Sequence, residues 1–256
     1  MTLLQVKNVR KIYKGNISFE ALKEVNFSIE EGEFVAVMGP SGSGKTTMLN
    51  VISTIDSPSS GEVFINGTNP HLLKGDNLAQ FRRKQLGFVF QDYNLLSTLT
   101  VGENIVLPLI LDGVKEKEAS KRLWEISTRL GIESLIDKRT YEISGGQAQR
   151  TAVARALIHN PSLILADEPT GNLDSKASKD VMEMMVQMNK ELLTTMMMVT
   201  HDVFAASYSD RVLFIKDGQI FNELYKGENR SIFYQNIVNV LSMLGGENHE
   251  PTLIRV

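Results

Sequence analysis

One stretch of the chain decides its fold class: Gly39-Pro40-Ser41-Gly42-Ser43-Gly44-Lys45-Thr46. It matches the pattern G-x-x-x-x-G-K-[ST], in which glycines let backbone N–H groups curl around phosphate oxygens. The apolar run Phe34 to Met38 predicts a buried strand before this loop, and the apolar spacing from Thr46 to Ile55 predicts a helix after it. Because a helix N-terminus adds positive partial charge, the strand–loop–helix unit predicts a phosphate site. We expect Lys45 to reach the β- and γ-phosphates and the Thr46 hydroxyl to bind Mg²⁺.

Length and composition limit the classes of protein to consider. The chain has 256 residues, a net charge of −3 and a hydrophobic fraction of 42%, which exclude disorder and allow one large domain or two modest ones. No excess of basic charge is present, so we expect no nucleic-acid partner. The absence of cysteine excludes disulfides, thiolate zinc sites and cysteine nucleophiles. We expect neither a signal peptide nor a membrane-spanning segment.

A second motif places two carboxylates at the end of a predicted buried strand. The apolar run Leu163 to Ala166 is followed by Asp167 and Glu168. Ligands of open α/β sheets bind at the carboxyl ends of the strands. We therefore expect Asp167 in or near a Mg²⁺ shell and Glu168, on the other side of the pleat, to address an attacking water.

A third motif predicts a second anion site. Ser144-Gly145-Gly146-Gln147 offers a hydroxyl and glycine amides at the start of an alanine-rich helical stretch. Two anion sites in one chain suggest one phosphate group that is held from two sides.

The remaining pattern outlines the organisation of the chain. Alternating apolar residues predict strands within 3–37, and amphipathic spacing predicts an inserted helical subdomain at about 92–160. Further strands are expected at Met196 to Thr200 and Val212 to Ile215, with a hairpin turn at 217–218. Seven of the eleven methionines lie between Met182 and Met198, and we expect them to pack in the core. Apolar residues at near-helical spacing from Ser231 predict a helix that covers the chain's own core or docks on a partner.

The ordered set of motifs resembles the nucleotide-binding subunits of ABC (ATP-binding cassette) transporters over about residues 2–225. The resemblance implies an α/β P-loop NTPase fold with a mostly parallel core sheet, an N-terminal antiparallel β subdomain and the inserted helical subdomain. Residues 226–256 then form a C-terminal helical tail. By the same resemblance Gln91 marks the Q-loop, residues 172–174 the D-loop, His201 the switch, and Tyr13 the aromatic ring that stacks on adenine.

The resemblance also implies the site residues. The catalytic set is Glu168, His201, Lys45 and Gln91, and the Mg²⁺ ligands are Thr46, Gln91 and Asp167. The residues implied to bind ATP are Tyr13, Gly39, Pro40, Ser41, Gly42, Ser43, Gly44, Lys45, Thr46, Thr47, Ser144, Gly145, Gly146 and Gln147.

The mechanism implied by this family is ATP hydrolysis in a head-to-tail homodimer. ATP lies between the phosphate loop of one copy and Ser144 to Gly146 of the other. Glu168 polarises the water, and His201 contacts the γ-phosphate and senses its loss. Hydrolysis opens the dimer and moves a transmembrane permease, so the chain is expected at the cytoplasmic face of the cell membrane.

A closer resemblance concerns the substrate. Gln91 to Leu96, His201 to Ser209 and the tail from Ser231 resemble the bacitracin-type antimicrobial-peptide resistance transporters, which also inform a sensor histidine kinase. A lipoprotein-release or macrolide-type transporter is the alternative. Three further classes are less consistent with the motifs: a soluble ABC ATPase of translation or repair, a small-molecule kinase and a non-hydrolysing clamp. The permease contact is expected near Gln91 to Leu107.

Overall fold

The computed structural model describes residues 1–15 and 17–245, so the part of the predicted tail beyond residue 245 lies outside the described residues. The strands are β1 (Thr2–Tyr13), β2 (Phe19–Glu30), β3 (Phe34–Met38), β4 (Ser60–Ile65), β5 (Leu86–Phe90), β6 (Leu163–Asp167), β7 (Thr195–Val199), β8 (Arg211–Lys216) and β9 (Gln219–Tyr225). The helices are α1 (Lys45–Ile52), α2 (Gly75–Gln85), α3 (Val101–Leu111), α4 (Glu116–Arg129), α5 (Gly145–Leu157), α6 (Ser175–Leu192), α7 (Val203–Ala206) and α8 (Arg230–Gly245).

Two sheets form the framework. The N-terminal sheet is antiparallel with the order β2-β1-β4. The larger sheet has the order β5-β6-β7-β3-β8-β9 and is parallel except for β9, which pairs antiparallel with β8 across the turn at Asp217 and Gly218. The expected combination of a mostly parallel core sheet and an antiparallel N-terminal sheet is therefore confirmed.

The strand order decides where the functional segments meet. Strands β6, β7 and β3 are neighbours and run parallel, so their carboxyl ends lie along one edge of the sheet. The phosphate loop follows β3, Glu168 follows β6, and His201 lies two residues beyond β7. Residues that are far apart in the sequence thus reach one edge.

Apolar packing holds helices on both faces of the large sheet. One cluster joins α1, the antiparallel sheet and one face of the core strands, and the other joins α3, α5, α6 and α8 to the opposite face. The seven methionines predicted to pack in the core are all buried, which confirms that expectation: Met182, Met184, Met185, Met188, Met196, Met197 and Met198.

Three helices occupy the stretch between β5 and β6 that was expected to be helical. The apolar spacing predicted that the helix of Leu123 and Ile126 continues through Leu130 and Ile132. In the structure α4 ends at Arg129, before these two buried residues. Gly131 has a φ of +64°, a left-handed conformation that ends a helix at low cost. Similarly, α1 ends at Ile52 rather than Ile55, because Thr54 has a φ of +65°.

The tail helix α8 packs on the chain itself. Phe233, Ile237, Val240 and Leu244 are buried in the larger apolar cluster. Of the two expectations for the tail, the one in which its amphipathic face covers the chain's own core is confirmed for the described part of the tail. No helix within residues 1–15 and 17–245 combines the length and apolar character needed to cross a bilayer.

Candidate active site

The phosphate loop is shaped by glycines that side chains could not replace. A Cβ atom on Gly39 would overlap the carbonyl oxygen of Ile215, and one on Gly44 would lie 2.7 Å from the carbonyl oxygen of Ala21. Gly44 also has a φ of +106° and precedes the first turn of α1 without a side-chain cap. The N–H groups at this helix start, which include those of Thr46 and Thr47, are therefore available to an anion.

A buried hydroxyl supports the fit of phosphate oxygens to this loop. Ser43 is 3% exposed, and its Oγ atom has no hydrogen-bond partner. Gly42 has a φ of +78° and no neighbour within 4 Å of the position of a Cβ atom, so the loop opens outward there. Pro40 and Ser41 are exposed at the same rim. An unpaired buried hydroxyl beside exposed N–H groups matches the needs of a bound phosphate.

Lys45 lies over the loop. Its Nζ atom donates hydrogen bonds to the carbonyl oxygens of Gly39 at 2.8 Å and Pro40 at 2.9 Å. Burial lowers the pKa of Lys45, and the negative charges of Glu168 and Asp167 partly offset that effect. The ammonium group is thus placed between the phosphate loop and the two carboxylates.

Asp167 ends β6 in a half-buried position. Burial raises the pKa of its carboxyl group, the charge of Glu168 raises it further, and Lys45 opposes both effects. A carboxylate whose charge is disfavoured in this way gains from a nearby cation. Oxygen atoms from a carboxylate, the Thr46 hydroxyl and the Gln91 amide form a hard donor set of the kind that Mg²⁺ prefers.

Glu168 is fixed by the end of the neighbouring strand. Its carboxylate accepts hydrogen bonds from the Thr200 hydroxyl at 3.0 Å and the His201 backbone N–H at 3.1 Å. The Nδ1 atom of His201 lies 2.8 Å from the same carboxylate. The two side chains differ in access, since that of Glu168 is 16% exposed and that of His201 is 74% exposed. The structure thus brings together two predicted catalytic residues that are 33 positions apart.

The direction of Glu168 does not follow from the pleat of β6, as the sequence suggested. The strand ends at Asp167, and Glu168 has a φ of +46°. Its orientation is set by this left-handed backbone and by the contacts with Thr200 and His201. Thr200 carried no signal in the sequence, because a threonine after an apolar strand is unremarkable until the neighbouring strand is known.

Gln91 is joined to the segment that follows Glu168. Its side-chain amide donates to Asn172 Oδ1 at 3.3 Å, and Asn172 Nδ2 donates to Asp92 Oδ1 at 2.7 Å. Gly171 permits this approach, because a Cβ atom there would lie 2.9 Å from the Gln91 side chain. Within the described chain no hydrogen bond joins Gln91 to Thr46 or Asp167, so its predicted place among metal ligands stays a prediction.

The motif Ser144 to Gln147 caps α5. The Gln147 N–H donates to Ser144 Oγ at 3.4 Å, and the Ser144 N–H donates to Gln147 Oε1 at 2.9 Å. Gly145 faces the Tyr93 hydroxyl, which would lie 2.9 Å from a Cβ atom there. The cavity of about 370 Å³ that this motif lines contains no residue of the phosphate loop. Within the described residues, this cavity therefore does not connect the two predicted anion sites.

Tyr13 ends β1 and is 41% exposed. The Nζ atom of Lys11 lies 4.9 Å from the ring centroid, and Lys11 is itself held by Asp56 at 2.5 Å. An exposed aromatic ring with a fixed cation against it can offer a surface to a planar base. Its contact with adenine stays a prediction.

Arg155 belongs to none of the motifs that the sequence analysis identified. Its guanidinium donates to the Tyr93 carbonyl oxygen at 2.8 Å and also to the Asn94 carbonyl oxygen. Tyr93 and Asn94 have φ angles of +59° and +47°, so Arg155 holds a segment with an unusual backbone directly after the Q-loop position. Burial lowers the pKa of Arg155.

Comparison with known proteins identifies the family. The family model described as ABC transporter matches residues 22–171. The ABC transporter ATP-binding protein YxdL of Bacillus subtilis (strain 168) is 62% identical over 99% of both chains. The bacitracin export ATP-binding protein BceA of Halalkalibacterium halodurans is 50% identical over 98% of this chain and 100% of its own length.

A solved structure gives the same result. The dimeric post-hydrolysis state of the ATP-binding cassette MJ0796 of Methanocaldococcus jannaschii, bound to ADP and Pi, has a TM-score of 0.80 and 43% identity, covering 88% of this chain and 100% of the other. The chain belongs to the ABC transporter family, as an ATP-binding and ATP-hydrolysing subunit of a transporter.

Proposed function

We propose that this chain dimerises on ATP and powers a membrane permease that confers resistance to, or senses, antimicrobial peptides of the bacitracin kind. The observation that carries the proposal is the 50% identity to a bacitracin export ATP-binding protein over nearly the whole of both chains. In this proposal residues 2–225 form the cassette, with the helical subdomain at about 92–160, and residues 226–256 form the tail. The subunit is peripheral and is held at the cytoplasmic face of the membrane by the permease.

The phosphate loop binds the nucleotide. Backbone N–H groups of residues 41–47 surround the phosphates, and Lys45 exchanges its carbonyl partners Gly39 and Pro40 for the β- and γ-phosphates. The exposed ring of Tyr13 stacks on adenine. Because Lys45 already lies beside the loop, binding needs only a change of partners for its ammonium group.

Mg²⁺ would be held by Thr46, Gln91 and Asp167. The raised pKa of Asp167 supports this assignment, because a cation would compensate the charge that burial disfavours. When bound, Mg²⁺ supplies positive charge that neutralises the phosphate oxygens.

Glu168 orients the attacking water and accepts its proton. The donors Thr200 and His201 keep the carboxylate at the edge where β6 and β7 end, next to the phosphate loop that follows β3. The exposed side of the His201 ring reaches the γ-phosphate. Lys45 and the loop amides stabilise the charge of the transition state, which dominates catalysis of phosphoryl transfer.

The site is completed by a second copy of the chain. Ser144 to Gly146 line a cavity without any phosphate-loop residue, so a head-to-tail partner supplies the second loop. Closure then requires the γ-phosphate, and hydrolysis reopens the dimer. This cycle drives the permease, which passes the peptide signal to a sensor histidine kinase.

The permease docks near Gln91 to Leu107. Leu96 is 48% exposed, and Tyr93 is half-buried directly after the Q-loop position. An adjoining groove of about 320 Å³ is lined by apolar residues that include Phe90, Leu107 and Leu111. Because this groove lies beside Gln91, a permease segment bound in it would contact the cassette next to a residue that we assign to the nucleotide site.

The test is capture of this chain from its native membrane and identification of the co-purifying protein by mass spectrometry. We expect a permease with a large extracellular domain, and a strain lacking this chain should become sensitive to bacitracin. Replacing both Tyr93 and Leu96 with Asp should abolish co-purification, whereas Trp124→Asp, at a 58% exposed position on α4, should not. A small permease together with unchanged bacitracin sensitivity would instead assign the chain to the lipoprotein or macrolide group.

A further inference from the structure

A buried glutamine connects the signature helix to the catalytic turn. Gln149 lies on α5, is 0% exposed, and donates a hydrogen bond of 2.7 Å from Nε2 to the carbonyl oxygen of Pro169. Pro169 follows Glu168 directly in the chain. The glutamine therefore contacts the backbone immediately beyond the proposed catalytic carboxylate.

The turn that carries Glu168 depends on a small number of main-chain contacts. The Glu168 N–H donates to the Val199 carbonyl oxygen at 2.9 Å, and the Glu168 carbonyl oxygen accepts from the Gly171 N–H at 3.0 Å. Its φ of +46° is unfavourable for a residue with a side chain. These bonds attach the turn to β7 and close it on itself, and Gln149 attaches it to α5.

Only the nitrogen end of the Gln149 side-chain amide has a hydrogen-bond partner. Its Oε1 atom is buried and has no partner. A buried amide oxygen without a donor costs free energy that an apolar side chain of similar length would avoid. Position 149 nevertheless carries an amide, and this amide donates its hydrogen bond to the Pro169 carbonyl oxygen, a bond that an apolar side chain would not make.

We infer that Gln149 is a positioning residue that holds Glu168 in its working orientation, an inference that rests on the proposed role of Glu168. Gln149 lies about one helical turn beyond Gly145. In the proposed dimer the start of α5 contacts the ATP held by the partner, so the Gln149–Pro169 bond connects that nucleotide to the chain's own Glu168. The inference predicts an effect on turnover and little effect on ATP binding.

The experiment measures kcat and KM for ATP, by phosphate release, in full-length Gln149→Met. Methionine keeps the length of the side chain and removes the donor. Gln149→Asn serves as a second variant, because it keeps an amide that is one methylene too short to reach. The matched control is Asn189→Leu, which removes another buried amide donor, bonded to the carbonyl oxygens of Gly32 and Thr194, both at 2.8 Å, on α6.

We expect both Gln149 variants to lose about 10- to 100-fold in kcat, as a misplaced catalytic group does. Their KM should stay within about twofold of the unchanged chain, since substrate binding is not altered. Asn189→Leu should lower thermal stability at least as much and keep kcat. An unchanged kcat in the Gln149 variants, or an equal fall in Asn189→Leu, would overturn the inference.

Glu168→Gln separates this outcome from failure of the proposed function. If Glu168→Gln is inactive while Gln149→Met turns over normally, only the positioning role is wrong. If Glu168→Gln itself turns over normally, the assignment of Glu168 and the positioning role of Gln149 are both wrong.

Discussion

Truncating one buried isoleucine of the tail helix should destabilise the whole cassette. Ile237 is 0% exposed and belongs to the apolar cluster that also contains α5 and α6. Removing a buried Ile side chain down to Ala costs about 2–5 kcal/mol, because transfer energy is lost and a cavity remains. For a chain of this size we expect the Tm of Ile237→Ala to fall by roughly 4–20 °C.

The same helix supplies the matched control. Ile232 is 61% exposed, so Ile232→Ala removes the same atoms from a position where water already contacts them. Surface substitutions of this kind change stability by about 0.5 kcal/mol or less. Differential scanning calorimetry on both variants measures the difference, and circular dichroism at 222 nm confirms that each is folded at 20 °C. Equal Tm shifts for the two variants would refute the reasoning that α8 is part of the cassette core.

The remaining predictions concern the site. Glu168→Gln should lower turnover by about 10²–10⁴-fold, the typical contribution of a general base, and should trap an ATP-bound dimer; a monomer in ATP by light scattering would contradict this. Lys45→Ala should weaken ATP binding itself, which calorimetry would show as a loss of affinity, and unchanged affinity would refute its role. Asp167→Asn should raise Tm at pH 7, because burial raises the pKa of Asp167 and its ionised form destabilises the fold. That gain should shrink as the pH falls below the raised folded pKa and should be lost below the ordinary pKa of an aspartate, where the folded and unfolded forms of the unchanged chain both carry a neutral group; a gain that stays constant with pH would contradict the assignment.

The local elements of this protein could be predicted from its sequence alone. The phosphate loop could be predicted because glycine spacing and a flanking strand and helix are local properties, and Gly39 and Gly44 prove sterically necessary. The helix start at Ser144 was equally local, since a capping serine and Gln147 lie within one turn. Apolar periodicity likewise predicted strands and helices, whereas the direction of the strands and the class of fold came from the resemblance to the ABC family.

Tertiary structure decided how those elements combine. Glu168 contacts His201 because β6 and β7 are neighbours in the sheet. The order of strands in a sheet cannot be predicted from the residues of either strand alone. The orientation of Glu168 depends on its left-handed backbone conformation, which could not be predicted from the sequence because glutamate rarely adopts it. The separation of Ser144 from the phosphate loop likewise follows from the placement of whole elements. Gln149 looked like an ordinary residue of an alanine-rich helix until packing placed its amide against Pro169, because long-range contacts depend on how elements meet rather than on what each contains.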